Sequence, residues 1–167
     1  CDRTLARMNR KYNTAEFLAC VERLRRYFPG CALTADMITG FPGETEADQA
    51  AAVAFLEQVG FAAVHVFPYS RRPGTKADAM PEQLSHAVKS ARAHEAQRVA
   101  DACKQRYLVQ QVGQTLPVLF ETEHDGSWVG HSDNYCLVRA AGDDLRGLVK
   151  NVKISAVSGQ MLVGDLV

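Results

Sequence analysis

No apolar run in the 167 residues approaches the ~20 that cross a bilayer. The opening residues, CDRTLARMNRKY, lack the apolar stretch of a secretory signal, so the chain reads as soluble and cytoplasmic. Net charge is also missing. The 19 Lys+Arg balance 19 Asp+Glu at a pI near 7.1, so composition alone does not announce a nucleic-acid binder, and any RNA role has to come from local clusters. The five cysteines, Cys1, Cys20, Cys31, Cys103 and Cys136, are odd in number and far apart, with no CxxC or CxxxCxxC. That pattern gives neither a disulfide framework nor a metal knuckle. There is no Ser/His/Asp or Cys/His arrangement, no Walker loop, no internal repeat and no low-complexity segment. What remains is 47% apolar residues, enough for one ordinary domain or two small ones and too many for a disordered chain.

The hydrophobic period switches along the chain. Asn13-Thr14-Ala15-Glu16 has capping-box form, Phe17, Leu18, Val21, Leu24 and Phe28 follow at helical spacing, and Pro29-Gly30 stops the helix. Residues 31–38 are short enough for a buried strand, which ends at the turn Gly40-Phe-Pro-Gly43. Thr45-Glu-Ala-Asp48 caps a second helix with a face of Ala51, Phe55, Leu56 and Val59, ended by Gly60. A second strand, 62–67, runs into the loop Pro68-Tyr-Ser-Arg-Arg-Pro-Gly-Thr75. This rhythm predicts parallel α/β structure, and two strands are too few to close a sheet or barrel. Together with a start at Cys1 rather than Met, it suggests a piece cut from something longer.

Pro81 is read as opening a helix that runs to about Gln111 through Leu84, Val88, Ala91, Val99, Ala102 and Tyr107. Beyond Gly113 the period becomes two. Strands are expected at 116–120, 127–131, 135–138, 148–154 and 161–163, forming a small antiparallel barrel of OB-like kind. The expected domains are an α/β piece at 1–80, a helical connector at 81–111 and a β-barrel at 112–167.

Two strand exits are placed for ligand chemistry. Gly40 to Thr45 joins a strand's carboxyl end to a helix start, where backbone can approach a ligand and free amides favour an anion; as an ordinary βα turn, its Glu44 and Asp48 would only complement the helix dipole. At the other exit, Arg71 and Arg72 beside Tyr69 can hold a phosphate or carboxylate while the ring stacks on a base, or form a solvated loop. His65 is read as a packed core histidine, and Asp36 as an interruption that needs a partner if it faces inward. In the tail, Tyr135, Arg139, Lys150 and Lys153 can build a stacking and phosphate-contacting face, weak and salt-dependent among seven carboxylates. Trp128 reads equally as a core residue.

Four segments in order carry a resemblance: Leu5-Ala-Arg-Met8-Asn-Arg10-Lys-Tyr12-Asn-Thr14, Leu33 through Thr45, His65 through Ala77, and Asp133-Asn134-Tyr135 in a tail similar to a TRAM domain. Together they resemble the carboxyl-terminal half of a radical S-adenosylmethionine methylthiotransferase. Arg10-Lys-Tyr12 and His65-Val-Phe-Pro-Tyr-Ser look most like the branch acting on threonylcarbamoyladenosine in tRNA. The resemblance implies an α/β fold, the last two strands of a partial (β/α) barrel, followed by an OB-like TRAM barrel. It implies a [4Fe–4S] cluster that cleaves S-adenosylmethionine to a 5′-deoxyadenosyl radical, and a methylthio group placed on C2 of the modified adenosine with help from a second cluster. The CxxxCxxC ligands of the first cluster and the domain that holds the second are not in this sequence, so no cluster ligand or catalytic residue is assigned and the piece alone is expected to be inactive.

By matching position, Ile38 and Gly40 are expected at the adenine and ribose of S-adenosylmethionine, and Phe67, Pro68 and Tyr69 at the adenine edge. Glu44 is counted with these cofactor-binding residues, although it falls one place late for the family pattern GxIxGxxE and Asp36 replaces its first glycine, which leaves a structural role open to it. Arg10 is expected at the cosubstrate carboxylate or tRNA, and Arg71 and Arg72 at tRNA. A cut barrel exposes an edge and apolar helix faces, so non-native oligomers are expected. The competing readings are a non-enzymatic RNA-binding module, and a methylthiotransferase for isopentenyladenosine tRNA or a ribosomal protein.

Overall fold

The computed structural model describes residues 1–167. The first part alternates helix and strand: α1 (Asp2–Arg7), α2 (Thr14–Tyr27), β1 (Thr34–Thr39), α3 (Glu46–Val59) and β2 (Ala63–Pro68). A long helix, α4 (His86–Gln111), leads to β3 (Thr115–His124), β4 (Ser127–Ser132), β5 (Leu137–Ala141), β6 (Val149–Ser158) and β7 (Met161–Leu166). The chain divides into two compact units between Lys104 and Gln105, inside α4.

Both anticipated capping boxes form. Asn13 accepts the Glu16 N–H while Glu16 accepts the Asn13 N–H, and Thr45 and Asp48 exchange the same pair of bonds at the start of α3. Each cap is worth about 1 kcal/mol. At the far end of α3, Gly60 takes the left-handed conformation at φ 63° that a C-cap asks of glycine.

The core of the first unit joins Val21 of α2, Leu56 and Val59 of α3, Phe61, Val64 of β2, and Ala96, Val99, Ala100 and Cys103 of α4. Phe17 supports it by edge contacts with Phe55 and Phe61 at 5.9 and 6.0 Å. Ala51 is exposed, contrary to the expected helix face. On α4 the expected Ala91 and Ala102 also face solvent, and the buried stripe is Arg92, Ala96, Val99, Ala100 and Cys103. The helix starts at His86 rather than Pro81, because the preceding segment is used as a strap: the Glu82 carbonyl accepts the Gly43 N–H at 3.0 Å.

β1 and β2 pair in parallel, Thr34 with Ala63 through Thr39 with Pro68. One face, with Leu33, Ala35, Met37, Val64 and Val66, belongs to the helix-packed core. Asp36, Ile38, His65 and Phe67 share the other face and are exposed. The readings of β1 as a fully buried strand and of His65 as a core residue are therefore corrected. The helices cover only one side of this two-stranded sheet, and the period of two sends alternate residues to the open side.

The second unit is a five-stranded closed barrel in the order β3-β4-β5-β7-β6, with β6 pairing back to β3. One pair, β5 with β7, is parallel, so the barrel is not wholly antiparallel as expected. Val118, Phe120, Val138, Val152, Ile154 and Leu162 fill the interior. β-Bulges interrupt the ladders at Phe120/Thr122 and Ile154/Ala156, where Gly130 and Gly164 face the bulged strands.

Candidate functional site

β1 ends in the turn Gly40-Phe41-Pro42-Gly43-Glu44-Thr45, with φ of +69° at Gly40 and +73° at Gly43. These angles favour glycine, but the space each glycine leaves is taken by protein rather than held open for a ligand. A Cβ on Gly40 would lie 2.6 Å from Lys89 Cγ, and one on Gly43 would lie 2.4 Å from an Arg7 guanidinium nitrogen. The missing side chain of Gly40 admits α4, and Gly40 lines neither of the clefts described below.

One carboxylate oxygen of Glu44 is engaged inside the protein. Its Oε1 accepts the Gly40 N–H at 2.9 Å and an Arg92 guanidinium N–H at 2.8 Å. The same Arg92 nitrogen donates to the Glu44 carbonyl at 3.0 Å, and the other terminal nitrogen reaches Glu46 at 2.5 Å. The Glu44 and Arg92 side chains are 4% and 7% exposed, so this is an ion pair largely out of water. Glu44 thus has a structural ion-pair contact, and it also lines the smaller of the clefts described below.

Two cations of α1 grip the other side of the turn. Arg7 donates to the Pro42 carbonyl at 3.0 Å, and Arg3 donates to the Gly43 carbonyl and to both Asp48 oxygens. Hydrogen bonds from Arg3 hold the Asp48 carboxyl far below its ordinary value, against the opposing effect of burial and with help from the Thr45 hydroxyl and N–H. A carboxyl whose folded pKa is depressed adds stability above its unfolded pKa and loses it as pH falls toward the folded one. Unfolding monitored by circular dichroism should therefore show stability level from pH 7 to about 5 and falling below about 4. Asp48→Asn should flatten part of that fall; an unchanged acid limb would show that Asp48 is not its source.

At the second exit, Tyr69 N–H donates to the Thr39 carbonyl at 2.8 Å, and the Tyr69 ring meets Phe41 edge-on at 5.3 Å. Lys89 donates to the Tyr69 carbonyl at 3.1 Å, with its ammonium 5.2 Å from the ring centroid.

The open face beside these exits holds two clefts. One, of about 520 Å³, is lined by Ile38, Phe67, Pro68, Tyr69, Ser70, Arg72, Thr75 and Ala77. The other, of about 310 Å³, gathers Arg10, Tyr12, Asp36, Ile38, Glu44 and Phe67 with Leu5 and Met8 of the amino-terminal segment. Ile38 and Phe67 belong to both. The expected residues Arg10, Ile38, Phe67, Pro68, Tyr69 and Arg72 are thus brought together. Arg71 is turned aside by Asp78, to which its Nε donates at 2.8 Å.

The cations of the barrel occupy different rows of its ladders. Lys150 shares a row with Val118 and Ser132, Lys153 with Thr115 and Asp165, and Arg139 with Val129 and Val163. Lys153 also spends its ammonium on the Gly113 carbonyl at 2.6 Å. Tyr135 is 87% exposed in a turn at φ 59°, uncommon for a non-glycine residue. Asn134 braces that turn through bonds to Tyr107 Oη and Gln111 Oε1, both at 3.1 Å.

Flat apolar walls at Ile38, Phe67 and Pro68, the hydroxyl of Ser70 and the unpaired edge of β2 suit the nucleoside end of S-adenosylmethionine, while the Thr75 hydroxyl is spent on the Arg72 carbonyl at 2.8 Å. An iron–sulfur cluster does not fit the residues present, because no three His, Cys, Asp or Glu side chains form a group able to hold a metal. The residues that sequence reasoning missed are Arg3, Arg7, Lys89 and Arg92. Only Arg92 left a signal, as a cation on the stripe of Ala96, Val99 and Cys103.

No helix is long and apolar enough to cross a membrane. No family model matches the chain. The threonylcarbamoyladenosine tRNA methylthiotransferase MtaB of Bacillus subtilis (strain 168) is 37% identical over 156 residues, which cover 90% of this chain and 35% of that protein. A tRNA-2-methylthio-N(6)-dimethylallyladenosine synthase of Maricaulis maris (strain MCS10) is 39% identical over 168 residues, covering 99% and 37%. Its counterpart from Nitratidesulfovibrio vulgaris (strain DP4) is 36% identical over 173, covering 98% and 38%. The chain therefore spans little more than a third of the length of these curated relatives. Identity at this level along nearly all of its residues means that the chain belongs to the methylthiotransferase family these proteins represent.

Proposed function

We propose that the chain is part of a radical S-adenosylmethionine enzyme that installs a methylthio group on C2 of N6-threonylcarbamoyladenosine at position 37 of tRNA, in the cytoplasm. In this reading β1 and β2 are the last strands of a (β/α) barrel, and the second unit is a TRAM-like barrel that holds tRNA. The observation that carries it is the cleft at the carboxyl ends of two parallel strands, where α/β folds place their ligands, lined by the residues that match the family's cosubstrate site.

Bound S-adenosylmethionine supplies the radical chemistry, with clusters whose ligands lie in other parts of the enzyme. This chain's residues bind and orient. Ile38, Phe67 and Pro68 pack on the adenine, the free edge of β2 offers backbone groups to its rim, and the hydroxyl of Ser70 faces polar atoms. Arg10 and Arg72 stand in the two clefts for the cosubstrate carboxylate or the tRNA phosphates. On the barrel, Tyr135 offers a stacking face, with Arg139 and Lys150 as phosphate contacts. The isolated chain lacks the cluster ligands and turns over nothing in this reading.

Phe67 is 50% exposed and adds little to folding, so Phe67→Ala in the full-length enzyme should leave the thermal midpoint almost unchanged and weaken S-adenosylmethionine binding about tenfold by calorimetry. An unaltered affinity would remove Phe67 from the site. Two of the three relatives described above carry a dimethylallyladenosine name, which supports that nucleoside as the second reading. Mass spectrometry of tRNA nucleosides from cells lacking the gene separates them, because only the 2-methylthio derivative of the true substrate should disappear.

A further inference from the structure

We propose that Lys89 and Arg92 of α4 are positioning residues for the cleft, and that ligand binding there is coupled to the docking of the first turns of α4. The proposal rests on the reading of the cleft as a nucleoside site. Neither residue lines the cleft. Three apart on α4, they reach the two loops that end β1 and β2. Arg92 holds Glu44, and Glu44 in turn fixes the Gly40 N–H where β1 stops. Lys89 fills the space beside Gly40 and holds the carbonyl of Tyr69, a residue of the cleft wall.

Stability alone does not account for the arrangement, because a buried ion pair returns about what its desolvation costs and an apolar pair of the same volume does as well. What charge and fork geometry add is a fixed placement of the Gly40 and Tyr69 backbone. If the docked helix sets the cleft for its ligand, the ligand must stabilise the docked helix by the same factor, since binding couplings are reciprocal.

The test uses the full-length enzyme with S-adenosylmethionine as probe. Lys89→Met keeps the stem that packs beside Gly40 and removes the donor; Arg92→Lys keeps the charge and removes the fork. Calorimetry should show the dissociation constant raised about tenfold in each variant, with thermal midpoints within a few degrees of the parent. In the parent, S-adenosylmethionine should slow amide exchange several-fold in peptides from 86–100, and this protection should be lost in the variants. Should Arg92→Lys fail to fold, Lys89→Met decides alone. Unchanged affinity in the folded variants, or a parent that binds S-adenosylmethionine without protecting α4, overturns the coupling and leaves the cleft assignment standing. A parent that does not bind S-adenosylmethionine overturns the cleft assignment and the coupling with it.

Discussion

Arg92→Ala is expected to destabilise the first unit by about 3–5 kcal/mol, because it strands the Glu44 carboxylate in a site where that side chain is 4% exposed. The loss is larger than one cation would suggest. Glu46 is at the surface and rehydrates when its partner goes, whereas Glu44 keeps only the Gly40 N–H. Domains of this size are stable by about 5–15 kcal/mol, so the variant should lose a large share of the unit's stability. Urea unfolding followed at 222 nm measures the effect. The double variant Glu44→Gln/Arg92→Met should recover roughly half of it, since both charges are then gone and the amide oxygen of the replacement side chain can still accept from Gly40. If Arg92→Ala costs less than about 1 kcal/mol, water reaches Glu44 and the pair is not the closed contact its burial indicates.

Gly130→Ala is expected to be nearly as damaging, for a steric reason. A Cβ at this position would sit 2.0 Å from the Leu119 carbonyl oxygen and 2.7 Å from Phe120 Cα, atoms of the bulged strand that cannot rotate away. Overpacking costs about 1–3 kcal/mol when side chains can adjust, and more when backbone has to move, so a loss of about 3 kcal/mol or more is anticipated. Trp128 is the chain's one tryptophan and is buried in the same barrel, so its fluorescence reports the transition directly. Gly126→Ala supplies the comparison. It has open space around it but φ of +71°, and should cost only the ~1–2 kcal/mol of a left-handed alanine. Equal losses at the two sites would mean that the approach of β3 to β4 is looser than the register requires.

Much of the fold follows from short-range pattern. The two capping boxes, the stops at Pro29-Gly30 and Gly60, both parallel strands and the five barrel strands all depend on residues within a few positions of each other, which is the range over which hydrophobic period and capping chemistry operate. The two strand exits, at Gly40 and at Tyr69, were legible for the same reason, since strand ends are where a parallel sheet presents its ligands, whereas Ile38, Phe67 and Pro68 were named only through the family resemblance. The face of each strand was not legible. Asp36 and His65 look out of place in apolar runs, and only the uncovered side of a two-stranded sheet makes them ordinary surface residues.

What the sequence by itself determined is therefore the order and type of the elements, the change from α/β to β-barrel along the chain, and a family resemblance that 36–39% identity to methylthiotransferases supports. The tertiary structure alone decided which groups are free to act. Arg92 and Glu44 are 48 positions apart, Arg3 and Asp48 are 45 apart, and no periodicity links residues at such separations. Likewise, Lys153 and Arg71 look like available cations until their partners, Gly113 and Asp78, are seen. Local pattern is set by the free energy of one helix turn or one strand pair, whereas a buried charge must be matched by whatever the fold brings to it, and that match exists only once the chain has closed on itself.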